Sequence, residues 1–520
     1  MSFAVEFKAL TKTFNGVAAN AGISLKVKKG SIHAIVGENG AGKSTAMKML
    51  YGTYQPDSGE IWVDGKLWGG RSKPWSSPSD AIHCGIGMVH QHFMLAGTHT
   101  VLDNILLGVE PIRKEWKYLP IPNFLKGIDR TRAAKRLKEI SQQYGMAVDL
   151  KPSVETLSVG LQQRIEILKL LYREASILIL DEPTAVLTPQ ETSELFLHLR
   201  KLRDEGKTIL IITHKLKEVT SLADRVTVFR GGRVVGEREI QETNEEDLAT
   251  LMVGRKVNLH REPPPLPALR KPVLTLKNVS LGTVRKLRNL NLQVRGGEIV
   301  GISGVEGNGQ SELLDLLIHP QHYSKILSGE IEILGRPSNA LTTREIKSSG
   351  VGVIPEDRHK EGLLLDRPVR ESFLLGLHRN APFSRRGIVS EEAIDKNAKK
   401  AIREYDIRPA HAYARCGALS GGNQQKWIIA REFHQTPELL IAAQPTRGVD
   451  VGAIEFIHQK IIDARMAGSG VLLVSSELDE ILDLSDRILV FYEGEIVGEF
   501  NRGEASEKVL GLRMGGAADL

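Results

Sequence analysis

The sequence predicts an α/β fold built twice over in one chain. Three observations carry that expectation. Short apolar runs, IHAIVG (Ile32–Gly37), SILIL (Ser176–Leu180) and TILIIT (Thr208–Thr213), have the length and β-branched content of buried strands. Apolar residues recur at helical spacing in QQRIEILKLLYRE (Gln162–Glu174) and, among more charges, in Asp129–Tyr144. Finally, LSVGLQQR (Leu157–Arg164), ILILDEPT (Ile177–Thr184) and ITHKL (Ile212–Leu216) return as LSGGNQQK (Leu419–Lys426), LLIAAQPT (Leu439–Thr446) and VSSEL (Val474–Leu478), each 262 residues later. GENGAGKST (Gly37–Thr45) returns as GVEGNGQSE (Gly304–Glu312), 267 residues later. A constant offset over ordered motifs is a tandem duplication.

Length and composition agree. A chain of 520 residues suits two domains of about 250 residues. The proline-rich stretch REPPPLPALRKP (Arg261–Pro272) excludes a helix and favours an extended linker. The expected division is a module over 1–255, a linker over 256–272 and a module over 273–512. GGRSKPWSSPSD (Gly69–Asp80) reads as an inserted surface loop and Gly515–Asp519 as a frayed end. The net charge of +6 comes without a dense Lys/Arg block, so no nucleic-acid partner is expected. Cys84 and Cys416 are too few for a disulfide framework or a zinc site and read as free thiols in a reducing compartment. No secretory leader and no apolar run long enough to span a bilayer is present, so any membrane role comes through partners.

GENGAGKST follows a strand and fits the phosphate-loop pattern. Gly37, Gly40 and Gly42 let the loop curl so that its N–H groups point inward, and Glu38, Asn39 and Ala41 complete it. Lys43 then reaches the β- and γ-phosphates of ATP, Ser44 ligates Mg²⁺, and Thr45 follows in the helix. Asp181 ends an apolar strand, where a carboxylate holds Mg²⁺ through water; Glu182, one residue on, serves as general base. Gln91 either touches Mg²⁺ or the attacking water and senses a nearby partner, or is a structural polar residue. The same two readings hold for His214, whose functional reading is a hydrogen bond to the γ-phosphate. Phe14 either stacks on adenine or packs in the core.

The order of phosphate loop, LSGGNQQ and DEPT resembles the ABC ATPases, over nearly the whole chain. The resemblance implies two tandem P-loop NTPase (ABC ATPase) domains, each with a mixed β-core and a helical subdomain. In that family ATP is sandwiched between the loop of one module and the signature of the other. Ser420, Gly421, Gly422 and Gln424 of the signature and Asp450 of RGVDVG are thereby implied to face the nucleotide held by Lys43, Ser44, Gln91, Asp181, Glu182 and His214. The other pairing gathers every loss: Gln310 for lysine, Ala443 and Gln444 for Asp-Glu, Ser476 for histidine, Val159 for a signature glycine and Thr188 for aspartate. Glu306 adds negative charge there, and no aromatic occurs between Val273 and Ser303. One hydrolytic and one regulatory or structural site follow. The second stays open to nucleotide because Gly304, Gly307 and Gly309 survive.

AAQPTRGVDVGA and PEDRHKEGL (Pro355–Leu363) look like the fused ATPases of bacterial simple-sugar and nucleoside importers. MVHQHFML and GVEGNGQSE resemble the purine or general nucleoside branch. That resemblance implies ATP-driven closure of the two modules, two integral-membrane permease subunits and an extracytoplasmic solute-binding protein. It also implies a peripheral position on the cytoplasmic face of the inner membrane. The alternative is a soluble twin-module ABC ATPase acting on ribosomes, which pairs two competent sites through a long charged helical linker. This chain has a short proline-rich one.

Overall fold

The computed structural model describes residues 2–14, 16–70, 77–91, 93–113, 127–184, 187, 189–257, 263–265, 268, 270–282, 287–305 and 307–516. The chain divides into two compact units, Met1–Val257 and Asn258–Leu520.

In the first unit a four-stranded antiparallel sheet runs in the order Val17–Lys28, Phe3–Phe14, Ser58–Val63, Lys66–Gly70. A six-stranded mixed sheet runs Arg233–Glu239, Arg225–Arg230, Ile32–Gly37, Thr208–Ile212, Ile177–Asp181, Ile86–Val89, all parallel except the first. Register fixes the site. Ile35 pairs with Ile212, Ile212 with Asp181, and Leu180 with Val89. The residues that follow Gly37, Asp181, Ile212 and Val89 therefore emerge at one edge, the carboxyl ends of parallel strands, where α/β sheets bind ligands. Between Gln91 and the strand Ile177–Asp181 come the helices Val101–Leu106, Arg130–Tyr144 and Val159–Tyr172, packed on one another as a helical subdomain. The Asp129 side chain caps the second by accepting from Arg132 N at 3.0 Å, and left-handed Gly145 ends it.

The second unit repeats both sheets. Its six strands run Val351–Ile354, Leu439–Ala443, Gly470–Ser475, Ile299–Ser303, Arg487–Tyr492, Glu495–Asn501, the same order in space. These strands are apolar throughout because each face meets its own core. Leu440, Ala442, Val471 and Leu473 pack toward the helices around Trp427 and Phe373. Leu439, Ile441, Leu472 and Val474 pack toward the antiparallel sheet. A sheet covered on both sides shows no polar alternation.

Some expectations are corrected. Gly69–Asp80 is not simply a loop. Gly69 and Gly70 extend a strand by pairing with Ile61 and Glu60, and Pro78–His83 is a helix whose Ser77 N–H donates to Asp80 Oδ2 at 3.1 Å. Ser, then Pro, then Asp is a helix-start signal that the Gly/Ser/Pro composition hid; residues 71–76 lie outside the described residues. Pro272, assigned to the linker, opens the strand Pro272–Leu281, and the last helix, Glu507–Met514, passes residue 512. Of the linker, Pro264 O accepts from Arg465 Nη1 at 3.0 Å and Arg270 Nη2 donates to Ala467 O at 3.1 Å. The expected frayed end begins as a turn at Gly515 and Gly516, and its remainder lies outside the described residues. Both cysteines are free. Among the described residues no helix is long and apolar enough to cross a membrane.

Candidate nucleotide-hydrolysis site

The loop after Ile32–Gly37 turns into the helix Lys43–Leu50. Its Glu38, Asn39, Gly40 and Ala41 form a turn closed by Ala41 N–H on Glu38 O at 3.1 Å, and Thr45 is the third residue of the helix. Gly42 must be glycine. It sits at φ +96°, and a Cβ there would stand 2.3 Å from Ala19 O. The buried Asn20 fixes it further by donating to Gly42 O at 3.1 Å. Lys43 is buried, and its Nζ donates to Gly37 O at 2.7 Å and Glu38 O at 3.0 Å. The ammonium is thus held inside the curl by the loop's own carbonyls.

Ser44 Oγ donates to Asp181 Oδ1 at 3.3 Å. Burial pushes the Asp181 carboxyl up; the Ser44 bond opposes that, and the neighbouring Glu182 charge adds to it. Glu182 leaves the strand with φ +48°, its N–H still on Ile212 O at 2.9 Å. Its two oxygens are both engaged. His214 Nδ1 lies 2.9 Å from Oε1, and Gln91 Nε2 donates to Oε2 at 2.9 Å. Burial alone pushes this carboxyl up, but the interaction with His214, aided by Lys43 and Lys215, outweighs it and holds the group below the usual carboxylate range. Buried Glu218 accepts from Thr184 at 2.5 Å and Thr213 at 3.2 Å, tying the segment after Glu182 to the one before His214. Five expected residues, Ser44, Gln91, Asp181, Glu182 and His214, thus form one bonded cluster beside the loop that holds Lys43.

Phe14 ends its strand half out of the core, 39% exposed, with its ring edge-on to Tyr54 at 5.2 Å. Of the two readings of Phe14, the packed-core one does not hold. Tyr54, its partner, escaped sequence reading because no motif marks it.

In the second unit, Ser420 caps the helix Gly421–Glu432. Its Oγ accepts from Asn423 N at 3.4 Å and Nδ2 at 2.8 Å, because a helix N-terminus has unpaired N–H groups to satisfy, and the O–H itself is left to donate. Gly421 and Gly422 are close-packed; a Cβ on the first would meet Arg358 Nη2 at 2.9 Å and on the second Asp450 Oδ2 at 2.7 Å. Asp450 itself caps the helix Val451–Ala467 through Ala453 N at 2.8 Å. Gln424 is buried, its Oε1 3.0 Å from His359 Nε2.

The counterparts of the charged cluster keep the contacts and lose the charge. Gln444, at φ +46°, accepts from Ser476 N at 3.1 Å and Oγ at 3.0 Å. Gln310 Nε2 donates to Val305 O at 3.2 Å. Ala443 ends its strand with no polar group to offer. Ser311 Oγ donates instead to Glu356 Oε2 at 2.8 Å. Glu356 stands two residues past Val351–Ile354, as Gln91 stands two past Ile86–Val89. Sequence reading missed that equivalence, though VGVIPE against IGMVHQ carried it. In the first unit Val159, at a signature position, is 41% exposed at the start of Val159–Tyr172. Thr188 and Glu306 lie outside the described residues.

The ABC transporter sequence profile matches residues 21–185 and 287–447, one stretch in each unit. The chain belongs to the ABC transporter family. It is an α/β ATPase with two ABC modules, as its motifs led one to expect. It is 48% identical, over 99% of its own length and 98% of the relative's, to the guanosine import ATP-binding protein NupO of Bacillus subtilis (strain 168). A nucleoside import ATP-binding protein, NupA of Lactococcus lactis subsp. cremoris (strain MG1363), is 44% identical over 98% of this chain and 97% of its own. A ribose import ATP-binding protein, RbsA of Yersinia pestis, is 37% identical over 99% and 97%.

Proposed function

We propose that this ABC ATPase hydrolyses ATP at a site built on the first unit and thereby energises import of nucleosides. One observation carries the reading: a carboxylate, Glu182, held at both oxygens beside a lysine-bearing loop, whose counterparts in the second unit are neutral. Ser44, Gln91 and Asp181 offer the hard oxygen donors that suit Mg²⁺, and the inward-facing loop suits phosphates. When bound, the ion supplies charge neutralisation on the transferred phosphoryl group.

The chain's own part follows from the geometry. Lys43 exchanges its bonds to Gly37 O and Glu38 O for phosphate oxygens without leaving the curl. Glu182, kept ionised by His214, Lys43 and Lys215, orients water and takes its proton as general base. An ionised carboxylate only accepts, so His214 Nδ1 is the donor in that pair. A neutral ring then leaves Nε2 as an acceptor, so donating to a γ-phosphate requires the imidazolium or a turn of the ring away from Glu182. Ser420, Gly421, Gly422, Gln424 and Asp450 complete the site from the second unit when nucleotide closes the modules. Phe14 and Tyr54 receive adenine.

The import role and the solute class rest on the names of the relatives, guanosine and nucleoside importers foremost. Two permease subunits, an extracytoplasmic solute-binding protein and a peripheral place on the cytoplasmic face of the membrane belong to the same reading. Uptake assays after co-expression with the cognate permease test it, with nucleosides against ribose and galactose. ATP-dependent nucleoside uptake is expected; uptake of sugars alone reassigns the solute.

A further inference from the structure

The second unit keeps a loop that the proposed hydrolysis leaves unused. Gly309, at φ +110°, starts the helix Gln310–Ile318 as Gly42, at φ +96°, starts Lys43–Leu50. Asn308 N–H closes the same turn on Val305 O at 3.2 Å. The shape of an anion cradle persists, but its lining has changed sign. In the first unit an ammonium sits in the curl. Here Gln310, nine-tenths buried, spends its Nε2 on Val305 O, and its Oε1 has no partner among the described residues. The next residue, Ser311, bonds the Glu356 carboxylate. A hydroxyl and a carboxylate at one helix start are oxygen donors of the kind a hard cation takes, and the buried amide in the curl carries no charge for a phosphate. The surroundings are acidic as well. The carboxyl of Glu361 is pushed up by burial and then by Asp357, Glu356 and Asp315.

A single carboxylate holds a divalent ion weakly in water, whereas Mg²⁺ is commonly held by one or two carboxylates together with phosphates. The loop's own sequence, Gly304–Ser311, offers a bare polyphosphate no side-chain cation and adds the Glu306 carboxyl, and Ser311 brings in the carboxylate of Glu356. The strand pair that carries Phe14 in the first unit has no aromatic counterpart in the second. Tyr323, the aromatic after this helix, is buried and bonded to Asp315, and no aromatic occurs from Val273 to Ser303.

We propose that the second loop binds polyphosphates only as their divalent-metal complexes, through Glu356, and without selecting the base. This rests on reading the equivalent first loop as the ATP site. The test is equilibrium dialysis of the full-length Lys43→Ala chain with radiolabelled ATP. Binding is expected with Mg²⁺ and falls more than about tenfold in EDTA. GTP and inorganic tripolyphosphate displace the label as well as ATP does. Adding Glu356→Gln weakens the Mg²⁺-dependent binding by about 10- to 100-fold or more, the lower bound being the usual loss for a group that only supports a metal's ligands. Adding Gln310→Lys instead restores binding in EDTA. Binding that survives EDTA in Lys43→Ala, binding indifferent to Glu356→Gln, strong preference for ATP over tripolyphosphate, or no bound ATP at all overturns the proposal. Steady-state hydrolysis by the same Lys43→Ala chain reports separately on the first loop: turnover there defeats the hydrolytic reading and leaves the dialysis result standing.

Discussion

His214 Nδ1 stands 2.9 Å from Glu182 Oε1, and 262 residues later Ser476 Oγ stands 3.0 Å from Gln444 Oε1. The second unit has kept the contact that links two strand ends and discarded the charge that makes it chemical. A neutral amide and hydroxyl hold the segments together equally well, since a hydrogen bond needs only one donor and one acceptor. They leave no base for a water proton. The predictions below follow from that difference and from its neighbours.

Glu182→Gln keeps the bonds to the surrounding cluster but removes the base. Turnover is expected to fall by about 10²–10⁴ with ATP binding retained. Single-turnover hydrolysis with parallel binding measurements checks this, and wild-type turnover in the variant refutes the role.

The pH profile tests His214. Its interaction outweighs burial and depresses the Glu182 carboxyl, so the base stays ionised as pH falls and activity is lost only below the usual carboxylate range. In His214→Ala burial is less opposed and the Glu182 carboxyl rises. The acid limb of the hydrolysis profile should therefore move to higher pH. A lower kcat with an unmoved acid limb would make His214 a phosphate contact only.

Lys43→Ala should cost far more turnover than Gln310→Ala, because only the first loop carries a cation in its curl. Equal losses would mean that both loops hydrolyse.

Ser420→Arg should stop turnover although Lys43, Asp181 and Glu182 are untouched, if the second unit's signature completes the site. The Ser420 hydroxyl also caps its helix, so the variant loses about 1 kcal/mol of stability as well. Ser158, at the same place in the first unit, makes no side-chain cap bond, and Ser158→Arg should slow turnover less. Steady-state rates in the assembled transporter, with melting temperatures alongside, separate the two effects. A larger loss from Ser158→Arg would mean that the modules do not pair loop to opposite signature.

Phe14→Ala and Tyr54→Ala should each raise KM for ATP more than they lower kcat, and together narrow the preference for ATP over GTP. Competition assays check it. Unchanged selectivity would leave the edge-on pair a local packing contact.

The sequence by itself determined the duplication and the family, and it named the residues proposed for the first site. These are legible because phosphate chemistry demands particular residues in short contiguous motifs, and a constant offset needs no structure to be seen. It also located the losses in the second module. What it could not supply was partnership across the chain. Asp181 and Glu182 are neighbours in sequence, yet Ser44 engages one while His214 and Gln91 engage the other, because parallel register brings four strand ends to one edge. Tyr54 became Phe14's companion only through packing, and the placement of strand ends exposed Glu356 as the counterpart of Gln91, which VGVIPE against IGMVHQ carried unread. The Ser420 oxygen takes up the Asn423 backbone donor because N–H groups at a helix start need acceptors, a contact that the signature motif does not state. Local chemistry is written in adjacent residues; the pairing of distant ones is decided by sheet register and packing, which short motifs do not record.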